Sequence, residues 1–294
     1  MTDITPLSNM GALIFVALST ALAVGLWRGV WWLLTSGGAL FRRLGPRLND
    51  TYAVRRTRPV RNWLKGSFPR GYAGIADRFD PSRPVGLPLT LVAVAAVYMV
   101  VLLFGLVETV MESEEIDAFD DFVFGIVAPL RNAVLVRGFG WITQFGSTAT
   151  LLAVAIVATG FLWARGPKWG VPTVWLTVLG AQATTWTGKF LIDRPRPDFI
   201  LDVTAWSPSF PSGHATGATA VYGIIAYAIA RDLPDYRRRY DVIYATFVLV
   251  ATIAFSRIYL SVHYPTDIAA GLLVGGFWVL VGVALAEWLR HSYH

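Results

Sequence analysis

Seven long apolar stretches constrain the fold of this sequence more than any other feature. A helix needs about 20 mainly apolar residues to cross the hydrocarbon core of a bilayer. Stretches that reach or approach this length lie at residues 10–35, 87–110, 148–165, 171–191, 214–231, 241–258 and 267–289. Only 15% of the residues are charged, whereas soluble domains carry about 25%. The sequence therefore predicts an all-α integral membrane protein and excludes a disordered chain, a collagen-like chain and a conventional cytosolic enzyme.

The charges between these stretches predict the orientation in the membrane. Residues 41–84 contain eleven Lys or Arg and three acids, and further basic residues lie at Lys168, at 231–239 and at Arg290. Residues 108–121 contain seven acids and no base. Because cytoplasmic loops are enriched in Lys and Arg, this alternation predicts an N-terminus outside and a C-terminus inside. We expect the acidic stretch to be a solvated loop, with a divalent-ion site as the weaker alternative.

The N-terminal region is predicted to contain an extra transmembrane helix and a basic linker, which could pack against the rest of the protein, recruit anionic lipid or serve only as an anchor. Residues 1–36 lack a basic leader, and their apolar run is longer than the core of a cleavable signal peptide, so we expect an extra transmembrane helix. Residues 37–86 mix basic and aromatic side chains, which predicts an interfacial linker on anionic lipid at the cytoplasmic side; a solvated linker fits them equally well. The net charge of +6 does not indicate nucleic-acid binding, because no recognised reading module is present.

Two further segments complete the predicted architecture. Residues 122–146 are apolar but interrupted by Pro129, Arg131 and Arg137, which predicts helices that lie on the outer interface instead of spanning it. Residues 290–294 follow the last apolar stretch and are predicted to form a cytoplasmic tail.

Ionisable residues within or beside the apolar stretches gather in three segments, at 189–197, 211–214 and 256–267. Ionisable groups in such positions are costly and mark functional sites. The predicted topology places all three segments at the outer membrane face. Four helix ends, at Lys189, His214, Arg257 and Asp267, are therefore expected to converge on one aqueous pocket.

The charge of this pocket favours a phosphate over a metal cation. Lys189, Arg196 and Arg257 repel a cation and hold a phosphate through charge-assisted contacts. The turn at Pro211–Gly213 opens a helix whose free N–H groups attract anions, and the Ser212 hydroxyl adds a donor. Cys is absent and only four His are present, so we expect no metal centre and no cofactor.

The two histidines away from the C-terminal tail suggest phosphoryl transfer. Asp267 follows His263 by four residues, so that its carboxylate can reach the imidazole. A carboxylate on one ring nitrogen fixes the tautomer and leaves the other nitrogen free to attack. His214 is then available as a general acid.

These three segments resemble the signature of the type 2 phosphatidic acid phosphatase (lipid phosphate phosphatase) superfamily. The first part of that signature is a Lys, six residues and Arg-Pro. The second is Pro-Ser-Gly-His, and the third is Ser-Arg, five residues, His, three residues and Asp. The sequence matches each part in order and spacing, with Lys189 to Arg196-Pro197, Pro211 to His214, and Ser256-Arg257 to His263 and Asp267.

The resemblance covers about residues 87–289 and implies a six-helix phosphatase core. It implies that His263 forms a phosphohistidine, that Asp267 orients it, and that His214 protonates the leaving group and later activates water. It also implies that no metal is needed, because the cations of the signature stabilise the transition state. The residues implied to bind the phosphoryl oxygens are Lys189, Arg196, Ser212, Gly213 and Arg257.

Residues outside the signature have expected roles as well. Arg194 forms a second Arg-Pro two residues before Arg196 and is expected at the pocket mouth. Trp206 and Phe210 are further candidates for substrate contact, and an interfacial loop with aromatic anchors is the alternative. Gly271 and Gly275 form a small-residue pair on the last span. We expect this pair to pack inside the bundle, and a homodimer interface is the alternative.

The sequence therefore predicts an enzyme that hydrolyses a lipid phosphate or diphosphate at the extracytoplasmic face of a membrane, with bacterial inner membrane as the expected location. Undecaprenyl diphosphate, phosphatidylglycerol phosphate, phosphatidate and lipid A phosphates remain open as substrates, and membrane lipids are the expected partners. A lipid phosphotransferase needs the same residues and is the main alternative. A non-hydrolytic transporter is disfavoured, because the span centres are mostly apolar.

Overall fold

The computed structural model describes residues 9–49, 59–60, 62–63, 65–78, 86–166, 169–197 and 207–292. Within these residues all regular secondary structure is helical. The longer helices are α1 (Asn9–Asn49), α2 (Pro69–Arg78), α3 (Leu87–Glu112), α4 (Glu114–Val127), α5 (Ala133–Thr143), α6 (Thr148–Arg165), α7 (Gly170–Ile192), α8 (Gly213–Asp232), α9 (Tyr236–Tyr259) and α10 (Pro265–Ser292). The predicted all-α membrane fold is confirmed.

The chain divides into two compact units. The first unit comprises Ala17–Leu91, and the second unit comprises Met1–Val16 together with Val92–His294. In the first unit, α1 exposes large apolar side chains along its length, among them Leu18, Leu22 and Leu26, as expected for a surface in contact with lipid. Helix α1 runs through the predicted boundary at residue 36 without a break. Most of the predicted linker side chains lie outside the residues whose side chains are described.

Five of the described helices, α1, α3, α6, α9 and α10, are long and apolar enough to cross a membrane, and the bent pair of α4 and α5 raises this number to six. The predicted spans at 171–191 and 214–231 form helices α7 and α8, whose 23 and 20 residues correspond to roughly 35 and 30 Å. Neighbouring helices bury much of α8, whereas α7 also exposes large apolar side chains such as Leu179. The threonines of α7 and α8 bond to their own backbone, as when Thr177 donates to Thr173 O at 2.9 Å.

The acidic stretch at 108–121 is not the solvated loop that its composition predicts. It continues α3 to Glu112 and then forms the start of α4. Ser113 caps α4, because its side chain accepts from Glu115 N at 3.2 Å. The acids of the first turn further stabilise the helix N-terminus. Helices α4 and α5 are bent by 120° relative to each other, at the short segment that contains Pro129.

Helix α8 is the centre of the second unit and packs against α7, α9 and α10. Its small residues allow this close approach, and the helix is buried on more than one side, for example at Ala215, Ala218 and Ala220. The glycine pair on α10 packs here, as the sequence predicts. A Cβ built on Gly271 would lie 2.7 Å from Ser212 O, and one on Gly275 would lie 2.7 Å from Thr216 O.

We expect Gly271→Ala to lower the free energy of unfolding by about 1–3 kcal/mol, because its methyl group meets the backbone of α8, which cannot move aside cheaply. The melting temperature of the detergent-solubilised protein measures this loss. Gly160→Ala is the matched control, since nothing lies within 4 Å of a Cβ at that position of α6. Alanine favours a helix over glycine, so the control is expected to melt at the same temperature or higher. Equal melting temperatures for the two variants would contradict the close packing.

Candidate active site

Four helix ends of the second unit bring the three ionisable segments together. Helix α7 ends just after Lys189, where Asp193 adopts a left-handed conformation with φ 48° and Pro195 follows. Helix α8 begins after Ser212, whose N–H donates to Asp267 O at 3.0 Å. His214 interacts electrostatically with Arg257, His263, Arg196 and Lys189. The residues that the sequence predicts to converge therefore form one cluster.

His263 lies in the short turn between α9 and α10 and is held by Asp267. The distance from His263 Nδ1 to Asp267 Oδ2 is 3.3 Å. Both side chains are buried, with His263 2% exposed. The same Oδ2 accepts from Tyr264 N at 2.9 Å and from the Ser209 hydroxyl. A carboxylate at Nδ1 keeps the ring proton on that nitrogen and leaves the lone pair on Nε2.

His263 is neutral at physiological pH in this environment. Burial lowers the pKa of His263 to about 4, and the positive charges of Arg257 and Arg196 act in the same direction. The hydrogen bond and charge of Asp267 oppose this shift. Nε2 is therefore available as a nucleophile well below pH 7.

Arg196 lies directly beside that nucleophilic nitrogen. Its Nη1 is 3.3 Å from His263 Nε2 and also donates to Val262 O at 2.8 Å. The other side of the guanidinium is fixed by Ser207, whose carbonyl accepts from Nε at 2.9 Å and whose hydroxyl is 3.2 Å from Nη2. A phosphate oxygen at Nε2 would thus meet a guanidinium whose position is already fixed.

Two further cations complete the charge of the cluster. Lys189 is buried, and its Nζ donates to Pro208 O. Arg257 donates from Nη1 to Thr143 Oγ1 at 2.8 Å. Its buried Nε has no hydrogen-bond partner among the described residues. A buried donor without a partner is costly, and a phosphate oxygen would supply the missing acceptor.

The start of α8 provides the remaining predicted groups. Ser212 is the N-cap, and its side chain accepts from Ala215 N at 3.5 Å, so that its proton stays available to an anion. A Cβ built on Gly213 would have Thr185 Cγ2 as its nearest neighbour, at 3.8 Å. His214 is half-buried, and a Cβ at Gly146 would lie only 3.0 Å from its Cδ2. Gly146 therefore leaves the space that the His214 ring occupies.

The three residues predicted to contact substrate lie elsewhere than expected or cannot be placed. Arg194 is buried and binds carboxylates instead of lining the pocket mouth: its Nη1 is 3.1 Å from Asp267 Oδ1, and its Nη2 is 2.9 Å from Asp120 Oδ2. Phe210 is 1% exposed and packs inside the protein, so its ring does not face an open pocket. Trp206 lies outside the described residues.

Sequence reasoning missed several residues of this site. Ser209, which bonds to Asp267, lies two residues before the Pro-Ser-Gly-His segment and carries no motif of its own. Asp120 and Thr143 reach the site from the bent helix pair, which lies far away in sequence. Among the described residues no group of three or more His, Asp or Glu is arranged to hold a metal ion.

A model of the PAP2 superfamily matches residues 170–290. Phosphatidylglycerophosphatase B of Bacillus subtilis is 29% identical over 177 residues, which cover 59% of this chain and 86% of that protein. Decaprenylphosphoryl-5-phosphoribose phosphatase of Mycobacterium tuberculosis is 40% identical over 91 residues, covering 30% of this chain and 45% of that protein. Lipid A 1-phosphatase of Rhizobium etli is 27% identical over 165 residues, covering 48% and 66% respectively.

The fold agrees with this match. The crystal structure of a transmembrane PAP2 type phosphatidylglycerolphosphate phosphatase from Bacillus subtilis superposes with a TM-score of 0.61 at 24% identity, and covers 68% of this chain and 97% of that one. At this identity the superposition supports the fold alone. The family match, the curated relatives and the shared fold agree: residues 170–290 match the PAP2 superfamily, the named relatives are phosphatases, and the chain has the fold of a transmembrane PAP2 type phosphatase.

Proposed function

We propose that this protein hydrolyses a lipid phosphate or diphosphate ester at the extracytoplasmic face of the membrane through a phosphohistidine on His263. The observation that carries the proposal is the environment of this ring. Asp267 lies at Nδ1, while Arg196 lies 3.3 Å from Nε2. One nitrogen is thereby fixed as the proton carrier, and the other is poised beside a group that binds phosphate.

In the first step, His263 Nε2 attacks phosphorus and the bond between phosphorus and the leaving oxygen breaks. His214, which we propose is protonated when the negative charge of the bound phosphate offsets the surrounding cations, donates its proton to that oxygen, and the lipid alcohol or lipid phosphate departs. Asp267 stabilises the positive charge that develops on the His263 ring. The product of this step is a phosphohistidine and a neutral His214.

In the second step, water attacks phosphorus and the bond from Nε2 to phosphorus breaks. His214 takes a proton from the water, so that the original protonation state returns. Inorganic phosphate leaves, and His263 is again free to react. Lys189, Arg196 and Arg257 stabilise the charge on the equatorial oxygens in both steps, together with the Ser212 hydroxyl and the Gly213 N–H.

A lipid substrate is supported by the surroundings of the site and by the relatives. Phe190 and Leu191, next to Lys189 on α7, are exposed large apolar side chains, as expected where an acyl or prenyl tail meets the helix. The named relatives act on phosphatidylglycerophosphate, on a decaprenylphosphoryl sugar phosphate and on lipid A. Each of these substrates joins a phosphate to a large apolar tail.

The extracytoplasmic face is supported by the distribution of charge. Helix α8 begins at the site and has Arg231 in its last turn, and the basic residues 237–239 lie in the first turn of α9. Helix α10 also begins at the site and has Arg290 in its last turn. Because basic residues favour the cytoplasmic side, the opposite end, which carries the site, is assigned to the outer face, as in the inner membrane of a bacterium.

The test is phosphate release by the purified protein in mixed micelles, with phosphatidylglycerol phosphate, undecaprenyl diphosphate, phosphatidate and lipid A 1-phosphate as separate substrates. We expect at least one lipid to release inorganic phosphate at the same rate with and without EDTA, since cationic side chains replace a metal. A water-soluble sugar phosphate serves as the comparison and is expected to react more slowly. Loss of activity in EDTA would contradict metal independence, and transfer of the phosphoryl group to an added alcohol without release of inorganic phosphate would contradict hydrolysis.

A further inference from the structure

Asp120 is a buried carboxylate outside the residues that match the family model. It lies on α4 and is 0% exposed. Its Oδ1 accepts from Thr266 N at 3.1 Å, and its Oδ2 accepts from Thr266 Oγ1 at 2.6 Å. Oδ2 also lies 2.9 Å from Arg194 Nη2. A carboxylate that is buried this completely is retained only where every oxygen is satisfied, and here its partners flank Asp267.

Arg194 joins Asp120 to Asp267. Its Nη2 binds Asp120, whereas its Nη1 binds Asp267 Oδ1 at 3.1 Å and Thr266 Oγ1 at 2.7 Å. The guanidinium also stacks over the Tyr264 ring, with 4.1 Å from Cζ to the ring centroid. Only 9% of Arg194 is exposed, and its guanidinium is occupied by these protein contacts.

The two oxygens of Asp267 therefore have separate partners. Oδ1 is bound by Arg194, and Oδ2 is the oxygen that His263 Nδ1 approaches. Rotation of the carboxylate would break the contact with Arg194 at the same time as the contact with His263. Fixing Oδ1 thus fixes the orientation of Oδ2.

We propose that Asp120 and Arg194 are positioning residues, which hold the Asp267 carboxylate in the orientation that keeps the His263 proton on Nδ1. The inference rests on the proposed function, because it assigns the support of the same nucleophile. It also gives the arginines of the two Arg-Pro pairs different roles: Arg196 lies beside the nucleophilic nitrogen of His263, and Arg194 fixes the Asp267 carboxylate.

The contact of Arg194 with Asp117 is exposed to water and is not part of the proposed positioning role. Asp117 is 74% exposed, and its Oδ1 is 3.2 Å from Arg194 Nη2. Ion pairs in contact with water contribute little, since solvent screens them. The positioning role is therefore assigned to the buried pair with Asp120.

The test is steady-state kinetics of Asp120→Asn, Arg194→Gln and the double variant. We expect kcat to fall by about 10–100-fold in each single variant, by analogy with the loss found when a residue that orients a metal-bound histidine is removed. KM is expected to stay within about twofold, because Lys189, Arg196 and Arg257 still bind the phosphate. The double variant is expected to be no slower than the worse single variant, because either change breaks the same link.

The control is Arg231→Gln, which removes another arginine–carboxylate pair of the bundle. Arg231 Nε is 2.9 Å from Glu287 Oε1 at the far end of α8. The kcat of Arg231→Gln is expected to remain within twofold of the wild-type value. Arg194→Lys keeps the positive charge and is expected to recover part of the kcat lost in Arg194→Gln, at an equal melting temperature.

Thr266→Val provides a second test if Asp120→Asn and Arg194→Gln fold poorly. It keeps the shape of the side chain and removes only the hydroxyl between Asp120 and Arg194, so kcat is expected to fall about threefold to tenfold. Unchanged kcat in Asp120→Asn or Thr266→Val would overturn the inference and leave the proposed function intact. A rise in KM alone would also overturn it, since that indicates direct substrate binding. Full activity in His263→Ala would overturn both.

Discussion

Replacing His263 with alanine is expected to lower kcat for phosphate release by about 10⁴-fold or more, the scale of loss when an enzyme nucleophile is removed. No other described side chain occupies the position of Nε2 beside Arg196. The cations of the site remain, so the substrate still binds and KM is expected to change little. Release of phosphate from the best lipid substrate, measured under single-turnover and steady-state conditions, gives both constants.

His291→Ala is the matched control for this variant, because His291 is an exposed histidine in the last turn of α10. It is expected to keep the wild-type kcat. Trapping with a radiolabelled lipid and analysis under alkaline conditions, in which phosphohistidine survives, provides a second readout. Label is expected on the wild type and on His291→Ala, and none on His263→Ala. More than one tenth of the wild-type rate in His263→Ala would exclude His263 as the nucleophile.

Much of the fold follows from the sequence because apolar length is a local property. The stretch at 148–165 is helix α6, with the predicted bounds, and the last predicted span lies within α10. The acidic stretch was predicted wrongly, since composition alone does not show that a carboxylate will find a buried partner. Asp120 meets Arg194 and Thr266 across 74 and 146 residues of chain. Such pairings depend on how the helices pack.

The candidate site was likewise predictable from the sequence only in part. The spacing of Lys189, His214, Arg257 and Asp267 at helix ends is visible in the sequence, because membrane topology alone brings those ends to one face. The spacing from Lys189 also assigns Arg196 to the signature. The contacts of Arg194 are not visible in the sequence, because it precedes a proline as Arg196 does and only the position of Asp120 shows that it binds buried carboxylates. Ser209 was missed for a similar reason, since a lone serine gives no signal until its carboxylate partner is placed.

Asp267→Asn is expected to reduce kcat by about 10³–10⁴-fold, the scale seen when the carboxylate that orients a catalytic imidazole becomes an amide. Every group that faces Asp267 is a donor. Arg194 donates to Oδ1, and the Tyr264 N–H, the Ser209 hydroxyl and the His263 Nδ1–H surround Oδ2. A carboxylate accepts from all of them, whereas an amide must turn its NH₂ group toward donors.

Either orientation of that amide is unfavourable. If the NH₂ group replaces Oδ1, it meets the buried Arg194 guanidinium, which then loses its ion pair with residue 267. If it replaces Oδ2, it donates to His263 Nδ1, which forces the ring proton onto Nε2 and blocks attack on phosphorus. KM is expected to stay within about threefold, because the phosphate ligands are untouched.

Asp241→Asn is the matched control for Asp267→Asn, because it converts a half-exposed aspartate of α9 that lies 3.3 Å from Arg237 Nε. It is expected to leave kcat unchanged. The loss in Asp267→Asn is also expected to exceed that in Asp120→Asn, because Asp267 touches the imidazole and Asp120 acts only through Arg194. A loss below tenfold in Asp267→Asn would show that the ring needs no carboxylate at Nδ1. A larger loss of kcat in Asp120→Asn than in Asp267→Asn would show that Asp120 is the more important carboxylate.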